Sequence, residues 1–107
     1  EVELKDGTPA LINSVEAARW AAKAAEDALG VDSIRPLGIT NMGGEDFSYY
    51  LERMTGCFMR IGAREPGGAT MDVHTPGFAP AEDALFVAAA VLADSARIAS
   101  QELASAR

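Results

Sequence analysis

Apolar residues recur at helical spacing in three stretches of the chain. The first stretch follows Asn13 or Ser14, either of which can cap a helix, and ends at Gly30, a residue suited to a left-handed C-terminal cap. Its apolar stripe consists of Val15, Ala18, Ala22, Ala25 and Leu29. This pattern predicts an amphipathic helix between the two caps.

Two further helices are predicted downstream. A helix of about two and a half turns follows Glu45 and ends at Gly56, with Phe47, Tyr50, Leu51 and Met54 at helical spacing. A long helix has Pro80 at its first-turn position and Glu82 and Asp83 beside its positive end. Its stripe consists of Leu85, Ala88, Leu92, Ala96, Ala99 and Leu103.

Three short segments resemble strands. Residues 1–4 alternate acidic and apolar side chains before a turn at residues 6–9, and residues 57–61 form a β-like run that ends at Gly62. Residues 31–37 are interrupted by Pro36, so they can form only a brief or edge strand. We therefore predict an α/β fold in which three helices pack on short strands and which is incomplete by itself.

Size and charge narrow the class of protein. A chain of 107 residues forms one domain at most, and its 49% hydrophobic content, dominated by alanine, predicts a thin core. The net charge of −7 and the lack of a basic run argue against nucleic acid and anionic membrane surfaces as partners. The longest apolar stretch, residues 84–93, is too short to span a bilayer.

Two further features concern the location of the protein and how the chain was produced. Cys57 is the single cysteine, which excludes an intrachain disulfide and favours a reducing, cytoplasmic location. The chain begins with Glu1 rather than Met, from which we expect that it was processed or taken from a longer protein.

His74 is the first candidate for chemistry. It is the only histidine, and it stands in the segment DVHTP, where Pro76 restricts the nearby backbone. Imidazole is a common zinc ligand, but a lone histidine is more often a surface residue or a hydrogen-bonded structural one. Because zinc needs three or four protein ligands, His74 would require ligands from outside this chain.

Gly43 and Gly44 are the second candidate. Two glycines before a helix allow backbone N–H groups to approach an anionic ligand, although taken alone they more often form an ordinary flexible turn. Glu45 and Asp46 follow directly, but neighbouring carboxylates on a helix point apart and make a poor acid–base pair. An apolar setting favours a structural role for Cys57, and Ser48 lacks the surroundings of a hydrolase nucleophile.

The order of four motifs resembles a known family. They are MGGEDFSYYLE at 42–52, GCFMRIG at 56–62, HTPGF at 74–78 and EDAL at 82–85. Together they resemble the C-terminal end of the metallopeptidase group that includes aminoacylase, hippurate hydrolase, indoleacetyl-amino-acid hydrolase and carboxypeptidase G. The segment PALIN at 9–13 also resembles the family's exit from its lid domain.

The resemblance implies a domain arrangement. It implies that residues 1–8 are the end of a lid-domain strand and turn, and that residues 9–107 are the C-terminal part of a split zinc-peptidase catalytic domain. Because the lid often dimerises, it also implies a homo-oligomer, and exposed strand edges would favour self-association as well.

The resemblance also implies an activity. Family members cleave N-acyl amino acids with two divalent metal ions, zinc or manganese, that activate water. His74 matches the final metal ligand, and Gly43 and Gly44 match a loop beside the substrate pocket.

The other ligands and the general-base glutamate belong to the N-terminal half of the family's catalytic domain, which this chain does not match. We therefore expect no catalytic residue here, no tightly bound metal and no activity of the isolated chain. The alternative is a small acidic helical module for interaction or oligomerisation, in which His74 would be buried between helices.

Overall fold

Two long helices organise the computed structural model, which describes residues 2–3, 7–38 and 41–106. Helix α1 spans Val15–Leu29, a single 3-10 turn follows at Val31–Ser33, α2 spans Ser48–Leu51 and α3 spans Asp83–Ser105. The predicted strand at residues 1–4 lies mostly outside the described residues, and residues 2–3 are irregular.

Helix α1 is capped at the predicted residues, although Gly30 does not have the left-handed helical conformation that was expected. The Ser14 hydroxyl accepts a hydrogen bond from the Ala17 N–H at 3.3 Å, which identifies Ser14 as the N-cap. At the other end Gly30 has φ 93° and donates its N–H to the carbonyl of Glu26 at 2.8 Å. A side chain would be strained at that positive φ, so glycine suits this position.

The core lies between α1 and α3. Trp20 and Ala24 from α1 pack with Val91 and Ile98 from α3, and Met59 contacts the edge of this cluster. Small residues on α1 let the two helices approach closely. The main contact of the described fold is therefore helix against helix.

A polar contact joins the N-terminal half of α1 to the C-terminal end of α3. The Glu102 carboxylate accepts hydrogen bonds from the Trp20 indole N–H at 2.9 Å and from the Arg19 guanidinium. The indole N–H thus bonds to a charged acceptor, while the ring packs in the core.

The predicted apolar stripes are mostly not the buried faces. Val15, Leu85 and Leu92 are 88%, 71% and 59% exposed, although Ala25 and Ala99 do touch the core. The face of α1 that meets α3 is one step around the helix and is centred on Trp20. Burying an indole removes far more apolar area from water than burying alanines, so Trp20 decides which face packs.

The predicted α/β architecture is wrong for the described residues, which contain no strand. Residues 31–33 form the 3-10 turn, and residues 57–61 are irregular. A strand needs the backbone of a neighbour, and here a side chain takes that role. Asn13 donates from Nδ2 to the Phe58 carbonyl at 3.0 Å and accepts the Phe58 N–H on Oδ1 at 2.8 Å.

Helices α2 and α3 begin or end at residues other than those predicted. Helix α2 is only four residues long, and Phe47 before it lies against the rings of Tyr50 and Phe58, each at a centroid distance of 5.9 Å. Helix α3 begins at Asp83, so Asp83 occupies the first turn as predicted while Pro80 lies before the helix. In the described part of the chain, no helix is both long and apolar enough to cross a membrane.

Candidate functional site

An open cavity of about 1170 Å³ lies beside the helix pair. One wall is the face of α1 that carries Ala18 and Ala22, and another is the segment of residues 57–62. The loop at residues 41–45, the turn at residues 73–74, residues 33–37 and two valines of α3 also contribute to its lining. Ala18, Ala22, Ala25 and Leu29 of the predicted apolar stripe therefore line this cavity, and only Ala25 among them also touches the core.

His74 lines this cavity and is exposed. It has φ 68°, a left-handed conformation that is uncommon outside glycine. The turn around it is held by two bonds: the Thr75 hydroxyl donates to the Asp72 carbonyl at 2.8 Å, and the Phe78 N–H donates to the Thr75 carbonyl at 3.1 Å. His74 is thus presented at the surface of the cavity and is not buried between helices.

Gly43 and Gly44 line the same cavity. The Gly43 N–H donates to the Asn41 side-chain oxygen at 2.7 Å. A Cβ built on Gly44 would lie 2.7 Å from the Thr8 hydroxyl oxygen, so this close approach requires glycine or a shift of the threonine. The fold therefore brings the two glycines and His74, which are thirty positions apart in sequence, to one cavity.

Glu45 and Ser48 have local structural roles next to this loop. The Glu45 carboxylate accepts the Phe47 N–H at 3.2 Å, and its backbone carbonyl accepts the Ser48 hydroxyl at 2.6 Å. Ser48 is fully buried and its hydroxyl is already used as a donor. Neither contact resembles an activated nucleophile or base.

Cys57 also lines the cavity and is half-buried. Its partial burial raises the pKa of the thiol, because desolvation disfavours the thiolate. A thiol whose pKa is raised is a poor nucleophile at neutral pH. This environment agrees with the structural role predicted for Cys57.

Asn13, Arg35 and Arg60 also line the cavity, although the sequence did not identify them as site residues. Arg60 had one available signal, because it is the only charged residue within the apolar run CFMRI. The role of Asn13 had none, because its partner Phe58 is 45 positions away. Tertiary contact alone brings those two residues together.

The described residues do not form a metal site by themselves. No group of three or more histidine, cysteine, aspartate or glutamate side chains comes together in the part of the chain that the structure describes. A zinc site takes three or four such ligands. His74 can therefore supply at most one donor to a metal whose remaining ligands come from elsewhere.

Known proteins with similar sequences include two named as hydrolases. The chain is 35% identical over 85 residues to a protein of Sinorhizobium fredii named as an uncharacterized hydrolase, y4tI, covering 79% of this chain and 21% of that protein. It is 35% identical over 97 residues to a protein of Bacillus subtilis named as an amidohydrolase, YhaA, covering 90% of this chain and 24% of that protein.

A third relative has a different name. The chain is 31% identical over 78 residues to a protein of Rhodococcus jostii named as a glutamate–cysteine ligase, covering 73% of this chain and 10% of that protein. The chain thus spans a quarter or less of each of these relatives. No solved structure matches the chain.

The family comparison covers most of the sequence. Residues 1–97 match the model of peptidase family M20/M25/M40, whose members are generally metal-dependent. The matched region contains α1, the cavity loop, the turn of His74 and most of α3. The resemblance deduced from the four motifs is thereby confirmed, and the chain belongs to peptidase family M20/M25/M40.

Proposed function

We propose that this chain is the C-terminal part of the catalytic domain of an amidohydrolase that cleaves the amide bond of N-acyl amino acids. The observation that carries the proposal is the meeting of His74 with Gly43 and Gly44 on one open cavity. Family membership and the relatives named as hydrolases support a hydrolytic reaction. The substrate class rests on the resemblance of the motifs.

Each of the three residues has a proposed role. His74 is one ligand of one of two divalent ions, zinc or manganese, and its exposed imidazole leaves a nitrogen free to bind. When bound, such ions activate water and polarise the amide carbonyl. Gly43 and Gly44 border the substrate, where the missing side chains leave room for an acyl amino acid.

Exposed apolar side chains support the proposal that another part of the protein covers this surface. Besides Leu85 and Leu92, Phe86 is 75% exposed on α3. Within the described chain, the backbone groups of residues 59–62 make no hydrogen bond, so they are available to a neighbouring strand. We propose that the rest of the catalytic domain covers these groups, with residues 1–8 leading from the lid domain and residues 9–107 forming the C-terminal part.

Two consequences follow for the isolated chain. It holds no tight metal, and it has no activity, because one ligand cannot retain a catalytic ion. A homo-oligomer formed through the lid domain remains part of the proposal. The rival interaction module requires a histidine buried between helices, and an exposed His74 does not favour it.

The test compares the chain alone with a chimera in which it replaces the aligned C-terminal segment of YhaA. We expect the chain alone to leave N-acetyl and N-benzoyl amino acids intact and the chimera to cleave them. His74→Ala in the chimera should reduce kcat/KM by more than about 100-fold, since even residues that only orient a metal ligand cost 10–100-fold.

The matched control is Glu65→Gln, an exposed substitution outside the cavity, which should leave the rate unchanged. Cleavage by the chain alone would contradict the proposal. So would a His74→Ala chimera that is as active as its parent. Metal content of the two chimeras, measured after dialysis, separates loss of metal from loss of fold.

A further inference from the structure

Residues 8–14 lead into α1 and form an entry segment that touches the loop of Gly43 and Gly44. A Cβ built on Gly44 would lie 2.7 Å from the hydroxyl oxygen of Thr8, 3.7 Å from its methyl carbon and 3.8 Å from its Cβ. The first of these distances is shorter than Cβ atoms tolerate. Gly44 therefore packs against Thr8, 36 positions away in the sequence, as closely as a residue without a side chain allows.

Thr8 is poorly able to move out of the way. It is half-buried, its branched Cβ restricts rotation of the side chain, and Pro9 restricts its backbone. Its hydroxyl makes no hydrogen bond within the described chain, so its contact with Gly44 depends on shape and not on bonding. A side chain added at Gly44 would therefore displace the loop more readily than the threonine.

Gly43 has a different neighbour. A Cβ built on Gly43 would meet only the side chain of Asn41, whose oxygen would lie 3.1 Å away. Asn41 is exposed and belongs to the same loop. Of the two glycines, only Gly44 is therefore in contact with a segment that is distant in sequence.

The entry segment reaches the other end of the loop by a second route. Asn13 makes two hydrogen bonds to the backbone of Phe58, at 3.0 Å and 2.8 Å. The Phe58 ring lies 5.9 Å from the ring of Phe47, whose N–H donates to the Glu45 carboxylate at 3.2 Å. The loop is thus contacted directly through Thr8 and indirectly through Asn13.

These contacts matter because the loop contains two glycines. Glycine backbone loses more conformational freedom on ordering than any other residue, so such a loop keeps one position only where neighbours hold it. A loop that is already positioned loses less entropy when it contacts a ligand. The entry segment therefore favours binding at the cavity without contacting the ligand itself.

We propose that Thr8 is a positioning residue, which packs against Gly44 and so holds the loop that borders the substrate. The inference rests on the proposed function, because it concerns the substrate loop of the same site. In that function residues 1–8 lead from the lid domain, so Thr8 is the last residue of the connection. A displacement of this connection would move the substrate loop with it.

The experiment measures cleavage of an N-benzoyl amino acid by the YhaA chimera and its variants. Gly44→Ala should raise KM at least about fivefold, because the added Cβ forces the loop away from the threonine. The change in kcat should be smaller, since His74 is untouched. Adding Thr8→Ala to Gly44→Ala should return KM to within about twofold of the parent value, because it removes the atoms that the Cβ meets.

Two matched controls separate this contact from general loosening of the loop. Thr8→Val also lacks the hydroxyl but keeps the branched shape, so it should leave the KM of Gly44→Ala raised. Gly43→Ala disturbs the same loop through Asn41, so Thr8→Ala should not lower its KM. If Gly44→Ala does not fold, recovery of folded chimera by Thr8→Ala and not by Thr8→Val, measured by circular dichroism, is the same rescue.

The contact itself is measured on the 107-residue chain alone by NMR. We expect a nuclear Overhauser effect between the methyl protons of Thr8 and the α-protons of Gly44. The inference is overturned if this effect is absent or if Gly44→Ala leaves KM unchanged. It is also overturned if Thr8→Ala fails to rescue Gly44→Ala, or if it rescues Gly43→Ala equally well.

The outcomes also separate this inference from the proposed function. If the chain shows the Thr8–Gly44 contact and the parent chimera does not cleave amides, the proposed function fails, and with it the role of Thr8 toward that substrate. If the parent chimera cleaves N-acyl amino acids and Thr8→Ala rescues nothing, the positioning role fails and the hydrolase stands.

Discussion

The helix pair of α1 and α3 and the cavity side, residues 41–62 with 71–80, are stabilised in different ways. In the helix pair, an indole, an isoleucine, a valine and an alanine are buried together, and the Glu102 carboxylate accepts a hydrogen bond from that indole. On the cavity side, α2 has four residues, and the extended run is positioned by the side chain of Asn13 and by one core contact from Met59. Burial orders the first region, whereas a few polar contacts, including one between residues 45 positions apart, order the second.

This difference indicates where the molecule needs a partner. The radius of gyration is 16.5 Å, whereas a compact domain of about this length has about 13 Å. The excess agrees with the large apolar side chains that remain exposed on both helices. The cavity side has the candidate site residues and the weakest internal packing, as expected for a surface completed by other parts of a longer protein.

The largest effect on stability should come from removing the centre of the helix pair. Trp20→Ala deletes a ring that is 8% exposed and the hydrogen bond from its indole to Glu102, so it should cost about 3–5 kcal/mol of unfolding free energy. A small domain has few such increments, so we expect most helical signal to be lost at room temperature. Urea unfolding followed by circular dichroism measures this loss.

The control for this variant is Leu85→Ala, which truncates a side chain that is 71% exposed on the same helix pair. It should change stability by less than about 0.5 kcal/mol. Equal effects of the two substitutions would show that the core is not centred on Trp20.

A smaller effect should appear on the cavity side. Asn13→Ala removes both side-chain hydrogen bonds to Phe58, and because these contacts are exposed it should cost about 1 kcal/mol. Hydrogen exchange of the Phe58 amide should accelerate, while exchange of the Val91 amide in the helix core should change little.

Asn41→Ala is the matched control, since it removes the bond of another exposed asparagine side chain to a backbone amide, that of Gly43. It should leave exchange at Phe58 unchanged. If Phe58 remains protected in Asn13→Ala, something other than the asparagine holds residues 57–61.

The smallest effect concerns Cys57. Its pKa is raised by burial, so the folded chain holds less thiolate at neutral pH than the unfolded chain. We expect alkylation by iodoacetamide to be a few-fold slower in the native chain than in urea, and its pH profile to be displaced to higher pH. A native thiol that reacts faster than the unfolded one would reveal activation that the cavity side does not otherwise show.

Local signals predicted the helices better than the surfaces they bury. Ser14 and Gly30 act through neighbours three or four residues away, so the ends of α1 could be deduced from sequence. The packed face could not, because alanines cover a broad arc of α1 and do not indicate which edge of that arc is buried. The area of the Trp20 indole decides which edge packs, and that comparison needs the position of α3.

The strand predicted at residues 57–61 is absent for a physical reason. Residues 57–61 have the composition of a strand, but a strand also depends on a neighbouring backbone, which the described chain does not provide. In its place Asn13 supplies one donor and one acceptor to Phe58. A side chain acting from 45 positions away leaves no trace in local periodicity.

The two long helices, the acidic charge and the family could be deduced from the amino-acid sequence, because each depends on residues that are close together or on motifs in fixed order. The folded structure was needed to show that α1 packs through Trp20 and that Asn13 replaces a strand partner. It was also needed to show that His74, Gly43, Gly44 and Arg60 line one cavity. Those facts depend on contacts between distant segments. Their energies are set by burial and geometry, which a linear pattern does not contain.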